Sequence, residues 1–244
     1  IMAVLGELNL PIIGPKDCIR DGLIKYYDAG NYKSFENMNT TWIDISGQGD
    51  DATAYNGPTH DGYYMVFDGS NDYFSATGLS GDIASSNIED HSFSFEVWIW
   101  FDTINSTEKG GLVTVGEFGD SYGIDQDNGR ARFGLRPSST LHNVTTGTLS
   151  QDTWYHLLGT YEQATNTIKF YQDTTLLGST TVTTTGLSTT ECLRLGYFRG
   201  ILGGSSTGAD YFHGRMGEVR IYDRALTINE VYHNFNHGRS RYGV

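Results

Sequence analysis

The sequence has little of what staples small folds, crosses membranes or grips nucleic acid. There are two cysteines in 244 residues, Cys18 and Cys192. Two such distant thiols make neither a disulfide framework nor a cysteine metal motif, and they read as free buried thiols. Lysine and arginine together number 16 against 29 acids, for a net charge of −13. A balance this acidic repels nucleic-acid phosphates and anionic membrane surfaces, so neither partner is expected. No apolar run approaches the roughly 20 residues of a membrane-spanning helix. The segment from Ile1 to Pro15 is apolar but interrupted by Gly6, Glu7, Asn9, Pro11 and Gly14, and it lacks the basic start and cleavage site of a signal peptide.

What the chain has is glycine (31), tyrosine (16) and aromatics at 13%. That composition suits short strands joined by tight turns and is wrong for long helices. Asp21-Gly22, Asp61-Gly62, Asp68-Gly69 and Asn128-Gly129 mark turns. Strands are expected over 22–27, 63–67, 72–76, 92–101, 112–117, 122–126, 130–136, 154–162, 167–172, 176–182, 192–197 and 212–222. Asp127-Asn128-Gly129 predicts a type I′ hairpin between the sixth and seventh of these. A dozen strands at this spacing predict an all-β, two-sheet antiparallel sandwich of jelly-roll type. One helix is expected over about 228–236, opened by a Thr227–Glu230 capping box. A weaker helical turn is expected near Tyr32 to Phe35. The Gly- and Ser-rich stretch 202–208 reads as a mobile loop rim. Residues 1–21 read as an N-terminal arm that docks elsewhere, and 22–244 as one domain with a C-terminal helix and tail.

Several blocks carry a resemblance. They are Thr41-Trp42-Ile43-Asp44-Ile45-Ser46-Gly47, Phe67-Asp68-Gly69-Ser70-Asn71-Asp72-Tyr73, Phe93-Ser94-Phe95-Glu96-Val97-Trp98, Trp154-Tyr155-His156, and Gly214 through Leu226. In that order they resemble the concanavalin A-like lectin/glucanase superfamily, in its laminin-G-like branch. Residues 28–47, and the run Asn234-Phe235-Asn236 followed by Gly238-Arg239 and Arg241-Tyr242-Gly243-Val244, resemble the version found in tailed-phage structural proteins. The resemblance implies a virion surface protein, acting in capsid decoration or in attachment to host surface glycans, with other virion proteins as partners. An extracellular carbohydrate-binding module is the alternative, and a glycoside hydrolase a third. Self-association through the arm or tail is expected.

Glucanases of this superfamily place paired carboxylates on one strand face, because retaining hydrolysis needs two carboxyls about 5 Å apart. No such motif stands here. Asp125 and Asp127 alternate correctly but flank a turn, so a non-catalytic chain is expected. On the strand 92–101, Ser94, Glu96, Trp98 and Trp100 share the face opposite the core. Trp98 and Trp100 beside a carboxylate could stack on sugar rings. Equally, that face could be covered, with Glu96 a satisfied acid bonded to His156. Tyr122, Asp125, Tyr197 and Arg199 complete the candidate ligand-binding set, with Phe198 and Tyr211 as further rim aromatics. Calcium occurs in many domains of this fold, and Asp68, Asn71 and Asp72 are the candidate ligands. The Asp-Gly-Ser-Asn-Asp turn explains the same three residues without metal. In many relatives the last strand carries an aspartate that can ligate the ion; Gly217 stands in its place.

Overall fold

The computed structural model describes residues 15–35, 40–76, 91–105, 109–117, 120–186, 192–199 and 209–244, without the side chains of Glu117, Arg199 and Ala209. The rim expected at 202–208 and residues 1–14 of the expected arm lie outside these. Two eight-stranded antiparallel sheets face each other. The first runs in the order β14 (Thr175–Thr181), β13 (Thr167–Gln172), β12 (Trp154–Glu162), β7 (Phe93–Phe101), β18 (His213–Tyr222), β5 (Met65–Asp68) and β4 (Thr59–His60). Strand β1 (Leu23–Asp28) pairs with the second half of β18. The second sheet runs β11 (His142–Thr145), β10 (Arg130–Arg136), β9 (Asp120–Asp127), β8 (Lys109–Glu117), β15 (Leu193–Leu195), β6 (Tyr73–Ala76), β3 (Ala52–Tyr55) and β2 (Thr41–Trp42). A two-stranded ribbon, β16 (Tyr197–Arg199) and β17 (Ala209–Tyr211), completes the set. The expected sandwich is therefore present.

Alternation decides what meets between the sheets. Phe93, Phe95, Val97, Ile99 and Phe101 of β7 point into the core, opposite Val113, Ile124, Phe133 and Leu195 of the second sheet. All of these are fully buried, and each such side chain contributes roughly 1.5–3 kcal/mol of transfer free energy. The β9–β10 hairpin has the expected form. Arg130 pairs with Asp127, and Asn128 and Gly129 take φ of 53° and 73°, the left-handed pair of a two-residue I′ turn.

The helix differs from expectation in length. α1 spans Ile228–Tyr242, with Thr227 and Glu230 closing the capping box and Gly243 in the left-handed cap. Asn236, Gly238 and Ser240 are poor helix formers, and packing overrides them. α1 lies on the outer face of the first sheet. Residues 15–19, expected to leave the domain, lie along it: His237 donates to the Pro15 carbonyl (3.0 Å), His233 to that of Asp17 (2.8 Å), and the Ile19 N–H donates to Asn234 Oδ1 (2.9 Å). The expected turn at 32–35 is present, with the Phe35 N–H bonded to the Asn31 carbonyl.

Candidate functional site

The two tryptophans of β7 do not form an open platform. Trp98 is fully buried, stacked against Tyr242 (centroids 4.4 Å apart, planes at 21°) and Phe235 (5.6 Å, 20°) of α1. Gly238 makes this approach feasible, since a Cβ there would sit 2.4 Å from Trp98 Nε1. Trp100 is half-buried. Its Nε1 donates to Asp102 (2.9 Å), and the Arg215 guanidinium lies 5.3 Å from its ring centroid and 5.2 Å from that of Tyr64. Of the two readings of this face the covered one holds: a helix lies on Trp98 and an arginine on Trp100, and the pair forms no open sugar platform. Glu96, 1% exposed, accepts from His156 Nε2 (2.9 Å), Arg220 Nη1 (2.6 Å) and Asn234 Nδ2 (2.7 Å). Burial pushes its carboxyl up, but the Arg220 charge and the bonds from His156 and Asn234 outweigh it and hold the group at about 2. It is a structural anion, as the alternative reading of this face has it.

Tyr122 is also buried, in the core against Phe93 (5.3 Å) and Phe95 (5.7 Å), and burial raises its phenol far above the usual range. It cannot reach a ligand. Asp125 is fully buried on the outer face of the second sheet, gripped by Arg132 Nε (2.6 Å) and Nη2 (2.7 Å), while Arg132 Nη1 reaches Asp127 (3.0 Å). One guanidinium therefore occupies both alternating carboxylates of the hairpin. The Arg199 side chain lies outside the described residues.

The calcium candidates are engaged in their own turn. Asp68 Oδ1 accepts the N–H groups of Ser70 (2.8 Å) and Asn71 (3.4 Å), and Asp72 Oδ2 accepts that of Asp68 (3.2 Å). Asn71 lends its carbonyl to Asn56 Nδ2 (2.8 Å). The carboxylates close their own turn. Burial raises the carboxyl of Asp72, and the Asp68 N–H it accepts works against the rise. Among the described residues no three Asp, Glu, His or Cys side chains converge on a metal-sized space. At Gly217, where relatives carry their aspartate, a Cβ would fall 2.1 Å from the Tyr242 hydroxyl, so α1 takes that space.

Of the proposed set, Tyr197 falls in a partly exposed tyrosine cluster on the second sheet. Of the cluster's other members the sequence marks Tyr211 as a rim aromatic, while Tyr55, Tyr73 and Arg194 escaped it. On the outer face of the second sheet Tyr55 stacks on Tyr73 (4.7 Å, 4°). Tyr73 meets Tyr197 (5.0 Å) and Tyr211 (6.4 Å), and Tyr197 meets Tyr211 (5.0 Å). The Arg194 guanidinium lies 5.4 Å from the Tyr197 centroid. Tyr55 is 44% exposed and the other three are half-buried. Burial, with Tyr55 and Tyr211 alongside, raises the Tyr73 phenol, and Arg194 opposes the rise. The signal was alternation: Tyr55 follows Ala54 and Tyr73 precedes Phe74, both inward, so each tyrosine points out. What brings four strands' tyrosines together is register, which no single segment shows.

On the same face, where the β9–β10 hairpin ends, an open pocket of about 360 Å³ is lined by Asp127, Asn128, Arg130, Arg132 and Thr145.

Residues 68–232, more than half of the chain, match the laminin-G-type sequence model of the concanavalin A-like lectin/glucanases superfamily, and the chain belongs to that superfamily. Among curated proteins no sequence matches it. Among solved structures, the binding domain of botulinum neurotoxin serotype C1 superposes with a TM-score of 0.69 at 14% identity, over 89% of this chain and 52% of that one. A botulinum neurotoxin type C structure, whose description makes cell entry dependent on two ganglioside molecules, gives 0.69 at 15% identity over 89% of this chain and 51% of that one. The Trypanosoma rangeli sialidase in complex with sialic acid gives 0.64 at 18%, over 90% of this chain and 33% of that one. The chain spans about half the length of the toxin domains it matches. These likenesses establish a lectin-like fold. No helix among the described residues is long and apolar enough to cross a membrane.

Proposed function

We propose that this chain is a non-catalytic, glycan-binding domain carried on a virion surface, and that it binds through the outer face of the second sheet. The observation that carries the binding role is the tyrosine cluster: four rings from β3, β6, β16 and β17 gathered beside an arginine on an accessible face. Tyrosine supplies apolar area for sugar C–H edges together with a hydroxyl, at little entropic cost. The non-catalytic part is supported by the fate of the acids. Glu96 is sealed under α1, and Asp125 and Asp127 share Arg132. The virion setting is supported by the resemblance of residues 28–47 and 234–244 to tailed-phage structural proteins. A free extracellular module uses the same face equally well.

Glycan-array binding by the intact chain tests the reading, with Tyr55→Ala alongside. Tyr55 is exposed, so its removal leaves the fold intact and lowers affinity at least about tenfold, about 1.4 kcal/mol. Array-wide silence, or unchanged affinity in the variant, refutes the binding role. Immunogold labelling of purified particles tests the setting.

A further inference from the structure

The pairing registers put the tyrosine cluster and the hairpin pocket on one line. Ala54, Phe74, Leu195, Val113, Ile124 and Phe133 are successive cross-strand partners and form an inward-facing row across the second sheet. One pleat over, the outward-facing row begins with Tyr55 and Tyr73 and ends with Asp125, Arg132 and Thr145. Between them the β16–β17 ribbon is seated on β8, whose Gly111 would place a Cβ 2.3 Å from the Tyr197 carbonyl oxygen. Strands lie about 4.8 Å apart, so Tyr73 to Asp125 is three steps, about 14 Å, and Tyr55 to Thr145 six steps, about 29 Å. That is the reach of a short oligosaccharide laid across the strands.

The pocket's chemistry is uneven in an informative way. Arg132 is saturated by Asp125 and Asp127. Asp127 spends Oδ2 on it, while Oδ1 is buried and has no hydrogen-bond partner among the described residues. A buried acceptor left open is costly, and such an atom calls for a hydroxyl or water. Arg130, opposite Asp127 in the ladder, is exposed and has no carboxylate within 4.0 Å among the described residues. Lys109 is the register partner of Asp127 on its other side. Two arginines, Arg130 and Arg132, thus line the pocket beside Asp127, on a chain whose net charge is −13. Among the described residues the pocket holds both a guanidinium without a carboxylate partner and an acceptor without a donor.

We propose that the pocket is a subsite for a carboxylate-bearing pyranose, the acidic residue of a glycan whose other rings rest on the tyrosine cluster. Arg130 donates to the sugar carboxylate in the two-pronged geometry that guanidinium favours. Asp127 Oδ1 accepts a ring hydroxyl, and Asn128 and Thr145 border the ring. The inference rests on the glycan-binding reading and names its sugar class.

Calorimetric titration of the intact chain with matched pairs tests it: sialyllactose against lactose, and trigalacturonate against α-1,4-galactotriose. In at least one pair the acidic member binds at least about tenfold tighter. Raising salt from about 0.02 M to about 0.2 M weakens the acidic member alone, as expected for an exposed charge pair. Arg130→Gln, a surface change checked by thermal unfolding, brings the pair within about threefold and leaves the neutral affinity where it was. Equal binding of acidic and neutral members overturns the subsite, as does an acid preference that survives Arg130→Gln. If neutral sugars bind, Tyr55→Ala abolishes that binding and no acid preference exists, the subsite falls and the platform stands. If no probe binds and the array is silent, both fall.

Discussion

Gly238→Ala should destabilise this protein, although alanine is the better helix former. In an exposed helix interior the exchange gains about 1 kcal/mol. Here the new Cβ would stand 2.4 Å from Trp98 Nε1 and 2.9 Å from Cε2. The indole cannot retreat, since it is fully buried between His156, Phe235 and Tyr242. Either α1 lifts or the stack breaks, and overpacking of this kind costs about 1–3 kcal/mol or more. The net is a loss of up to about 2 kcal/mol, a fall of up to roughly 8 °C in Tm for a chain of this size. Urea titration followed by tryptophan fluorescence measures it. Trp98→Phe in the same chain removes the clashing atoms, so the double variant should lose less than the sum of the singles. A Gly238→Ala protein more stable than the wild type would refute the close approach of helix and sheet.

Glu96 gives a pH signature. Its folded value, about 2, lies below its ordinary 4.5, so its contribution is complete above about 4.5 and is lost as pH falls through 2. The shift is on the order of 3 kcal/mol. Glu96→Gln should cost a similar amount at pH 7 and flatten the stability curve between about pH 4.5 and 2, read from urea midpoints across pH; an unchanged slope would remove Glu96 from the network. Calcium at millimolar levels should leave Tm within about 1 °C of its value in chelator, because the Asp68–Asp72 turn satisfies itself; mass action would shift Tm by more if a site existed. Cys18 is buried, and burial raises its thiol, whereas Cys192 is half-buried. A native thiol titration at pH 8 should therefore modify Cys192 first and Cys18 only on unfolding, and rapid modification of both would contradict the packing of residues 15–19 on α1.

The sandwich was legible because long central strands declare themselves by alternation. β10, β12 and β13 have the bounds that their patterns mark, and the Asn128-Gly129 turn fixes its hairpin. β2, β3, β4, β11 and β17 escaped, being two to four residues long and set by their neighbours rather than by their own pattern. The site was less legible. Trp98 and Tyr55 both alternate outward from the core, yet one is sealed and the other open. The difference lies in α1, whose last two turns rest on Gly238 and Gly217 lying under aromatic rings. Local propensity would have ended the helix before them. The tyrosine cluster and the hairpin pocket needed the registers of seven strands, and strand order is a tertiary property.

The clasp of residues 15–19 by α1 also bears on how the chain folds. Ile19 bonds to Asn234 and Pro15 to His237, and β1 pairs with β18, so the first and last described segments complete one another. Glu96, in the middle of the sequence, receives bonds from both Arg220 and Asn234. Contacts so distant along the chain must close their loops before they return any free energy, which slows folding. On a ribosome, β1 would wait unpaired until β18 had emerged. An exposed β1 edge during that interval is the point at which misassembly would begin, and a chaperone that shields it would raise the yield of the folded protein.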